Sequence, residues 1–151
     1  MKVKRLLVTA AAAAAVVLPL CVTGTASAAT GVVFHDYATG RCLDSNASGD
    51  VYTLPCNGGP FQEWVQGDWT WVDVATGRCL DSNAGGAAYT LPCNGGYFQK
   101  WQPFDVDGSI DPSIYTQTDF ATGRCLDSNA GGDVYTLPCN GGPFQEWAAT
   151  T

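Results

Sequence analysis

The sequence predicts an all-β domain of about twelve short strands, closed into a threefold barrel that is capped by hairpins. A stretch of 29 residues occurs three times without a gap, at 36–64, 73–101 and 119–147. The first and third copies agree at 27 positions, and the second and third agree at 24. Nothing after residue 28 sustains helical periodicity with caps. We therefore predict one domain of three equivalent units.

Each unit contains four predicted strands. The turns of the first copy lie at 39–40, 46–49, 55 and 57–59. They leave RCLD, DVYTL and FQEW as extended pieces. A fourth strand precedes each copy, as TGVVF within 29–35 and as DWTWV at 68–72, where Trp69 and Trp71 would share one face. Closing the barrel removes the exposed edges that twelve short strands would otherwise leave.

The segment before the third copy is longer than its equivalents. Nine more positions separate Trp101 from Cys125 than separate Trp64 from Cys79. The additional residues include a glycine and a proline, which favour a loop. We predict an enlarged loop at about 105–118, with no fixed strand register.

The first 28 residues have the pattern of a secretory signal peptide. A basic start precedes an apolar run at 6–22, and the residues at 26–28 form an A-x-A cleavage site. A membrane anchor is the alternative, but this run is at the short end of the ~17 to 25 residues that a span needs. Cleavage would leave one secreted, extracellular domain at 29–151, with repeats at about 29–66, 67–103 and 104–151.

Six cysteines follow the cleavage site, and export permits disulfides. Six cysteines allow fifteen pairings. Equivalent units should form equivalent bonds, so the threefold repetition selects the pairing within each repeat. The predicted bonds join residues 14 positions apart: Cys42 to Cys56, Cys79 to Cys93 and Cys125 to Cys139. A zinc site is disfavoured by this spacing and because His35 is the one histidine, so we predict no metal and no cofactor.

The net charge of the domain limits the classes of partner that it can bind. Four basic residues remain after residue 28, against 14 acidic ones, which gives a formal net charge of −10. Nucleic acid and anionic membrane surfaces would be repelled at long range. We expect a monomer with a neutral ligand, no nucleic-acid partner and no insertion into membranes after cleavage.

The repeated motif resembles a known family. The Cys-x-Asp opening, the second cysteine and the closing Gln-x-Trp are similar to the repeat of the ricin-B-type β-trefoil lectins. LDSN, VYTLP, NGG and the aromatic residue before Gln-x-Trp look like the repeats of actinohivin-type lectins, which recognise high-mannose glycans. The resemblance implies a β-trefoil that binds neutral glycans, such as high-mannose N-glycans on glycoproteins.

The resemblance also implies three sugar sites, each with one aspartate, tyrosine, leucine, asparagine and phenylalanine. They are Asp44, Tyr52, Leu54, Asn57 and Phe61; Asp81, Tyr89, Leu91, Asn94 and Phe98; and Asp127, Tyr135, Leu137, Asn140 and Phe144. The family has a tyrosine where this chain has the three phenylalanines, which leaves the sugar specificity open. The second repeat has Ala87 and Ala88 where the other repeats have Asp and Val, so its affinity is expected to differ.

The chemistry of these residues suits a sugar. Pyranose rings present apolar C–H faces that pack on aromatic or aliphatic surface, which Tyr52 and Leu54 would supply. An ionised Asp44 would accept from two adjacent hydroxyls, and Asn57 can donate and accept at once. Strand alternation would bury either this pair or Val51 and Thr53, and the resemblance favours burial of the latter.

The Gln-x-Trp segment is predicted to build the shared core. If FQEW is a strand, Gln62 and Trp64 lie on one face and Phe61 lies on the other. We predict that the three tryptophans meet around the threefold axis, with stacking on sugars as the alternative. Gln62 would satisfy nearby backbone groups.

Other interpretations of these segments remain. The residues at 44–49 match the opening of a calcium loop, although the closing glutamate is absent. Asp44 could also form an Asx turn with its own backbone. Arg41, Arg78 and Arg124 each follow an aspartate by five residues, at Asp36, Asp73 and Asp119, which favours a structural ion pair over ligand contact.

We predict no catalytic activity, because the site aspartates lie in separate repeats and no paired carboxylates emerge. The expected function is a secreted lectin for mannose-rich glycans. A galactose- or xylan-binding module is an alternative within carbohydrate binding. A β-trefoil protein inhibitor is another, and it would use the single differentiated loop at 105–118.

Overall fold

The computed structural model describes residues 30–105 and 113–151, which form an all-β fold of twelve strands and three short 3₁₀ helices. The strands are β1 (Val33–Asp36), β2 (Cys42–Ser45), β3 (Val51–Leu54), β4 (Trp64–Gln66), β5 (Trp71–Asp73), β6 (Cys79–Ser82), β7 (Ala88–Leu91), β8 (Trp101–Asp105), β9 (Ile114–Asp119), β10 (Cys125–Ser128), β11 (Val134–Leu137) and β12 (Trp147–Thr150). The 3₁₀ helices are Pro60–Gln62, Tyr97–Gln99 and Pro143–Gln145. No helix within these residues could cross a membrane. The predicted signal peptide lies outside the described residues.

Six strands form the barrel. Antiparallel pairing runs from β1 to β12, β9 and β8, while β4 pairs with β5. Backbone bonds of 2.8 Å between Val32 and Trp64 join β4 to the start of β1. The Trp101 N–H donates to the Trp69 carbonyl at 2.7 Å, which joins β8 to the segment before β5. These links complete the predicted barrel.

Three hairpins, β2–β3, β6–β7 and β10–β11, cap one end of the barrel. A backbone bond of 2.8 Å ties each hairpin to the next, from Thr53 to Gly132, from Thr90 to Gly49 and from Thr136 to Gly86. The glycine is required at this contact. Gly49 has φ +101°, and a Cβ on it would lie 2.8 Å from the Thr90 carbonyl oxygen.

Three tryptophans, one from each repeat, are buried in the hydrophobic core, as predicted. Trp64, Trp101 and Trp147 are 0–1% exposed. Each indole N–H donates to the carbonyl of a buried leucine on the hairpin of its own repeat, at 3.0–3.3 Å. Buried indole nitrogens need such partners, and here they connect the barrel to its cap.

The disulfides are those predicted, one in each repeat. Cys42 to Cys56, Cys79 to Cys93 and Cys125 to Cys139 are bonded, with Cα atoms 5.0–5.1 Å apart. Each bond joins the first residue of a hairpin to the loop that follows the hairpin. The disulfides therefore fix the loops at 55–59, 92–96 and 138–142.

Removal of one disulfide is expected to destabilise the fold without abolishing it. Cys79→Ala with Cys93→Ala opens a loop of 14 positions, which should lower the free energy of unfolding by about 3 kcal/mol. The measurement is urea unfolding followed by tryptophan fluorescence. A change below about 0.5 kcal/mol would contradict a structural role for this bond.

The prediction that FQEW forms a strand is wrong. Phe61 and Gln62 lie in a 3₁₀ helix, and β4 begins at Trp64. Phe61 and Gln62 therefore do not alternate across a sheet, although Gln62 and Trp64 are both buried. The preceding Asn-Gly-Gly turn and Pro60 favour a helical turn over an extended strand.

The placement of Trp69 and Trp71 on one strand face is also wrong. Trp71 begins β5 and is buried, but Trp69 lies in the preceding turn with φ 59° and is 46% exposed. Its ring contacts the Phe120 ring, with centroids 5.7 Å apart. The turn between β4 and β5 therefore occupies the position where a strand was expected.

The predicted loop at 105–118 is partly a hairpin. Strand β9 runs from Ile114 to Asp119 and pairs with β8 from Trp101 to Asp105. Ile114 and Gln117 are buried, so the strand belongs to the barrel wall. The inserted residues lengthen two barrel strands in place of forming a loop throughout. Residues 106–112 are outside the described part of the chain.

Candidate functional site

A buried carboxylate lies at the base of each predicted sugar site. Asp44, on β2, is 3% exposed, and its Oδ2 accepts a hydrogen bond from Gln62 Nε2 at 2.7 Å. The same bond is made by Gln99 to Asp81 at 2.7 Å and by Gln145 to Asp127 at 2.6 Å. An ionised acceptor makes this bond stronger than a neutral pair would. The amide thereby fixes the carboxylate in one orientation.

The same glutamine holds the Asn-Gly-Gly loop beside the carboxylate. Gln62 Oε1 accepts from the Asn57 backbone N–H at 2.8 Å, and Gln62 Nε2 also donates to the Pro55 carbonyl at 3.2 Å. The expectation that Gln62 satisfies backbone groups is confirmed, but its bond to Asp44 was missed. Gln62, Gln99 and Gln145 are positioning residues of the site. The glutamine two residues before the tryptophan in Gln-x-Trp was the available signal.

One of the two polar atoms of the Asn57 side chain is hydrogen-bonded within its own loop. Its Oδ1 accepts from the Gly59 N–H at 2.7 Å, while its Nδ2 has no partner among the described residues. Asn94 and Asn140 make the same turn. The Asn57 oxygen therefore shapes the loop, and Nδ2 is the polar atom of this side chain that is free to bind a ligand.

An apolar surface, formed in the first repeat by Tyr52 and Leu54, lies beside the carboxylate. Tyr52, on β3, is the register partner of Asp44 and is half-buried, and Leu54 is 38% exposed. The other strand face, with Val51 and Thr53, is buried, which confirms the orientation implied by the resemblance. The Tyr52 hydroxyl donates to the Ser45 carbonyl at 3.0 Å, which fixes the ring. Leu91 and Leu137 are equally exposed.

The third aromatic residue of each site comes from the 3₁₀ helix. Phe61 and Phe144 are half-buried, and Phe98 is 38% exposed. The residue before Phe98 is Tyr97, which is 69% exposed, where the other two repeats have proline. The structure pairs the aspartate of each repeat with the tyrosine of the same repeat, and the glutamine links that aspartate to the loop that carries the asparagine. The three sets lie in separate repeats.

Burial raises the pKa of Asp44 and Asp81. Desolvation raises the pKa of Asp44 above its ordinary value, and the Gln62 amide opposes that rise by hydrogen bonding to the charged form. The pKa of Asp81 is raised for the same reason. Burial also raises the pKa of Tyr52, with a further contribution from the Asp44 charge, so this phenol stays protonated at neutral pH.

The second repeat lacks one polar contact that the other two share. Asn46 Nδ2 donates to Asp50 Oδ2 at 2.9 Å, and Asn129 donates to Asp133 at the same distance. Ala87 occupies the equivalent position, so Asn83 lacks this acceptor. The predicted difference of the second repeat thus has a structural counterpart at the hairpin tip.

The hairpin tip is an Asx turn made by Asn46. Asn46 Oδ1 accepts from the N–H groups of Ser48, Gly49 and Asp50 at 2.9–3.1 Å. The suggestion that Asp44 forms this turn is therefore wrong. Because the Asn46 oxygen is occupied by backbone donors, it is also a poor calcium ligand in this conformation.

The proposed ion pairs of the arginines are wrong. Arg78 donates to the Thr90 carbonyl at 2.8 Å and to the Ala47 carbonyl at 3.3 Å. Arg41 and Arg124 contact neighbouring hairpin tips in the same way. Within residues 30–105 and 113–151 the one salt bridge joins Lys100 to Asp68, at 2.9 Å. The arginines hold adjacent hairpins together.

Each aspartate assigned to those ion pairs instead binds a serine of the preceding repeat. Asp73 is fully buried, and its Oδ2 accepts from Ser45 Oγ at 2.6 Å. Ser128 donates to Asp36 at 2.8 Å, and Ser82 donates to Asp119. These bonds link the repeats in a ring. The sequence separation hid them, since Ser45 and Asp73 are 28 positions apart.

The comparisons with known proteins agree with this architecture. A family model described as the ricin-type beta-trefoil lectin domain matches residues 29–147. The chain is similar to the designed 3-fold symmetric protein ThreeFoil, with 23% identity, a TM-score of 0.69, and coverage of 80% of this chain and 97% of that chain. It is also similar to SeviL, solved bound to asialo-GM1 saccharide, with 15% identity, a TM-score of 0.65, and coverage of 81% and 98%.

A third similar structure is an enzyme. It is 1,3Gal43A, an exo-beta-1,3-galactanase from Clostridium thermocellum, with 23% identity and a TM-score of 0.70. The match covers 82% of this chain but 30% of the galactanase chain. The likeness therefore concerns one part of that protein, and at this identity it shows the fold alone.

Proposed function

The chain belongs to the ricin-type β-trefoil lectin family, a carbohydrate-binding fold, and from this we propose that it is a secreted, non-enzymatic lectin that binds mannose-rich glycans through three equivalent pockets. One observation carries the proposal. In every repeat a buried carboxylate, oriented by a glutamine, lies beside a half-buried tyrosine and an exposed leucine. A pyranose needs both surfaces, since its ring faces are apolar and its hydroxyls require hydrogen bonds.

The atoms available in a pocket determine which residue would contact which part of the sugar. In the proposed pocket, Gln62 Nε2 donates to Asp44 Oδ2, and a sugar hydroxyl donates to Asp44 Oδ1. Asn57 Nδ2 is the complementary donor, and Leu54 packs on a C–H face. The likeness of LDSN and VYTLP to actinohivin-type repeats supports mannose as the sugar.

Three pockets matter because a single shallow pocket binds weakly. If a branched glycan engages two or three pockets at once, avidity gains of about 10² to 10⁴ are expected. The same three pockets would show little preference between single copies of similar monosaccharides. A clustered ligand is therefore the natural partner.

The test of this function is a glycan array that carries high-mannose N-glycans, single mannose, β-galactosides and xylan. We expect strong binding to high-mannose glycans and weak binding to single mannose. Preferential binding to galactosides would still support a lectin with the pockets described, but it would overturn mannose as its sugar. No binding to any neutral glycan would overturn the proposed function.

Acidification is expected to weaken glycan binding before it protonates ordinary carboxyls. The raised pKa of Asp44 and Asp81 means that these acceptors lose their charge above the usual aspartate value of about 3.9. Acidification has the opposite effect on the contribution of these two carboxyls to folding stability. A raised folded-state pKa favours folding when the group is protonated, and this contribution is lost as the pH rises through that pKa.

Calorimetric titration with a mannose oligosaccharide between pH 7 and pH 4 measures the effect on affinity, and Tm values at the same pH monitor folding. Affinity should fall through this range while the protein stays folded. An affinity that stays constant down to pH 4 would contradict an ionised aspartate as the sugar acceptor.

A further inference from the structure

A cavity of about 220 Å³ lies at the end of the barrel that faces away from the hairpin cap. Strands β1 and β5 each lead into a cap hairpin at their last residue. The cavity is lined by residues near the opposite ends of these strands, including Val32, Phe34 and Trp71. Gln66, at the end of β4, closes another side. The cavity therefore lies within the barrel mouth and apart from the three proposed sugar pockets.

The threefold repetition does not extend to this cavity. All eight lining residues lie outside the 29-residue copies. Three equivalent positions, each two residues before a copy begins, hold Phe34, Trp71 and Gln117. A second set of three equivalents holds Gln66, Pro103 and Ala149. The chain thus repeats its cap almost without change and has a single, asymmetric barrel mouth.

Two of the first three positions form an aromatic pair, and the third supplies an amide. The rings of Phe34 and Trp71 meet edge to face, with centroids 4.6 Å apart and planes at 87°. The Trp71 indole N–H donates to Gln117 Oε1 at 3.1 Å. Gln117 is 2% exposed, and its Nε2 has no hydrogen-bond partner among the described residues. Nε2 is not among the buried polar atoms that lack a partner, so it is accessible from the cavity and can donate to a ligand there.

We propose that the barrel mouth binds one small, neutral aromatic molecule that carries a hydrogen-bond acceptor such as a carbonyl oxygen. The ring packs against Phe34 and Trp71 in the position that a third aromatic residue would hold, and the oxygen accepts from Gln117 Nε2. The lining contains no charged side chain, so an ionic ligand would be desolvated without compensation. A cavity of about 150 Å³ is enough to hold benzene, and this one has room for a ring with a short substituent.

Two probes of the same shape test the proposal. Acetophenone carries the acceptor, and α-methylstyrene replaces its oxygen by a CH₂ group. We expect acetophenone to bind with a stoichiometry of one per chain, to shift the side-chain amide NMR signal of Gln117, and to be unaffected by saturating mannose oligosaccharide. Absence of saturable binding, or a shift confined to other residues, would overturn the site.

Two variants separate the ring contact from the hydrogen bond. Gln117→Leu should lower the ratio of acetophenone to α-methylstyrene affinity by about 2- to 10-fold, the range expected for one hydrogen bond. Ala149→Leu keeps Gln117 and fills the cavity, so it should abolish binding of both probes. Unchanged glycan binding checks that each variant is folded. If the affinity ratio is the same in wild-type protein and Gln117→Leu, the assigned acceptor contact is wrong.

Discussion

Replacement of Asp44, Asp81 and Asp127 together by asparagine is expected to abolish glycan binding and leave the protein folded. Asparagine has the shape of aspartate and keeps one oxygen to accept from the glutamine Nε2, so the bond at the base of each pocket survives. The sugar then meets an amide without charge. Loss of a charge-assisted hydrogen bond of about 1.5–3 kcal/mol weakens each pocket by about 10- to 100-fold.

The total loss should exceed that of any one pocket, because avidity falls together with the individual affinities. The measurement is binding to a surface coated with high-mannose glycoprotein, followed at several protein concentrations. Variants with one or two substitutions should fall between wild type and the triple variant. A folded triple variant that binds as wild type would refute the assignment of the site.

A control with the same change in charge is available. Glu63, Asp68 and Glu146 belong to none of the predicted sugar sites, and Glu63→Gln, Asp68→Asn and Glu146→Gln together also remove three negative charges. This variant should keep glycan binding near the wild-type level. If it loses binding as severely as the site variant, the effect comes from the overall charge and not from the pockets.

The parts of the fold that could be predicted are those for which all three repeats carry the same residues at the same positions. Three equivalent units admit one equivalent disulfide pairing, and a tryptophan at the same place in every copy has to be accommodated near a common axis. Trp64 and its two equivalents are buried as that argument requires. The two faces of VYTL were assigned through a family resemblance, because alternation alone allowed either orientation.

These errors have one physical source, which is that local pattern does not show contacts between residues far apart in the chain. Arg78 was paired with Asp73 because opposite charges lay five residues apart, yet its partners are the Thr90 carbonyl of its own hairpin and the Ala47 carbonyl of the neighbouring hairpin. Gln62 was expected to serve the backbone alone, although its amide nitrogen also binds Asp44 across 18 positions. The inserted segment appeared to be a loop because strand β9 acquires its register only by pairing with β8.

The ring of serine–aspartate bonds between repeats predicts a large loss of stability for Asp73→Ala. Asp73 is fully buried and accepts from the Ala75 N–H at 2.9 Å, from Thr76 Oγ1 at 2.7 Å and from Ser45 Oγ at 2.6 Å. Its removal leaves up to three donors without their acceptor, at about 1–3 kcal/mol each where they stay buried. We expect the free energy of unfolding to fall by about 3–5 kcal/mol in urea titrations.

A double-mutant cycle identifies the partner of Asp73. Asp73→Ala and Ser45→Ala should couple, because each removes one end of the same buried bond, whereas Asp73→Ala and Arg78→Met should be additive. Asp68→Ala serves as the matched control, since that carboxylate is exposed and its bridge to Lys100 contributes about 0–1 kcal/mol. Coupling of Asp73 to Arg78 and not to Ser45 would restore the ion pair and remove the serine–aspartate ring as the link between repeats. With the expected outcome, serine–aspartate hydrogen bonds join the repeats, and the arginines remain assigned to the hairpin cap.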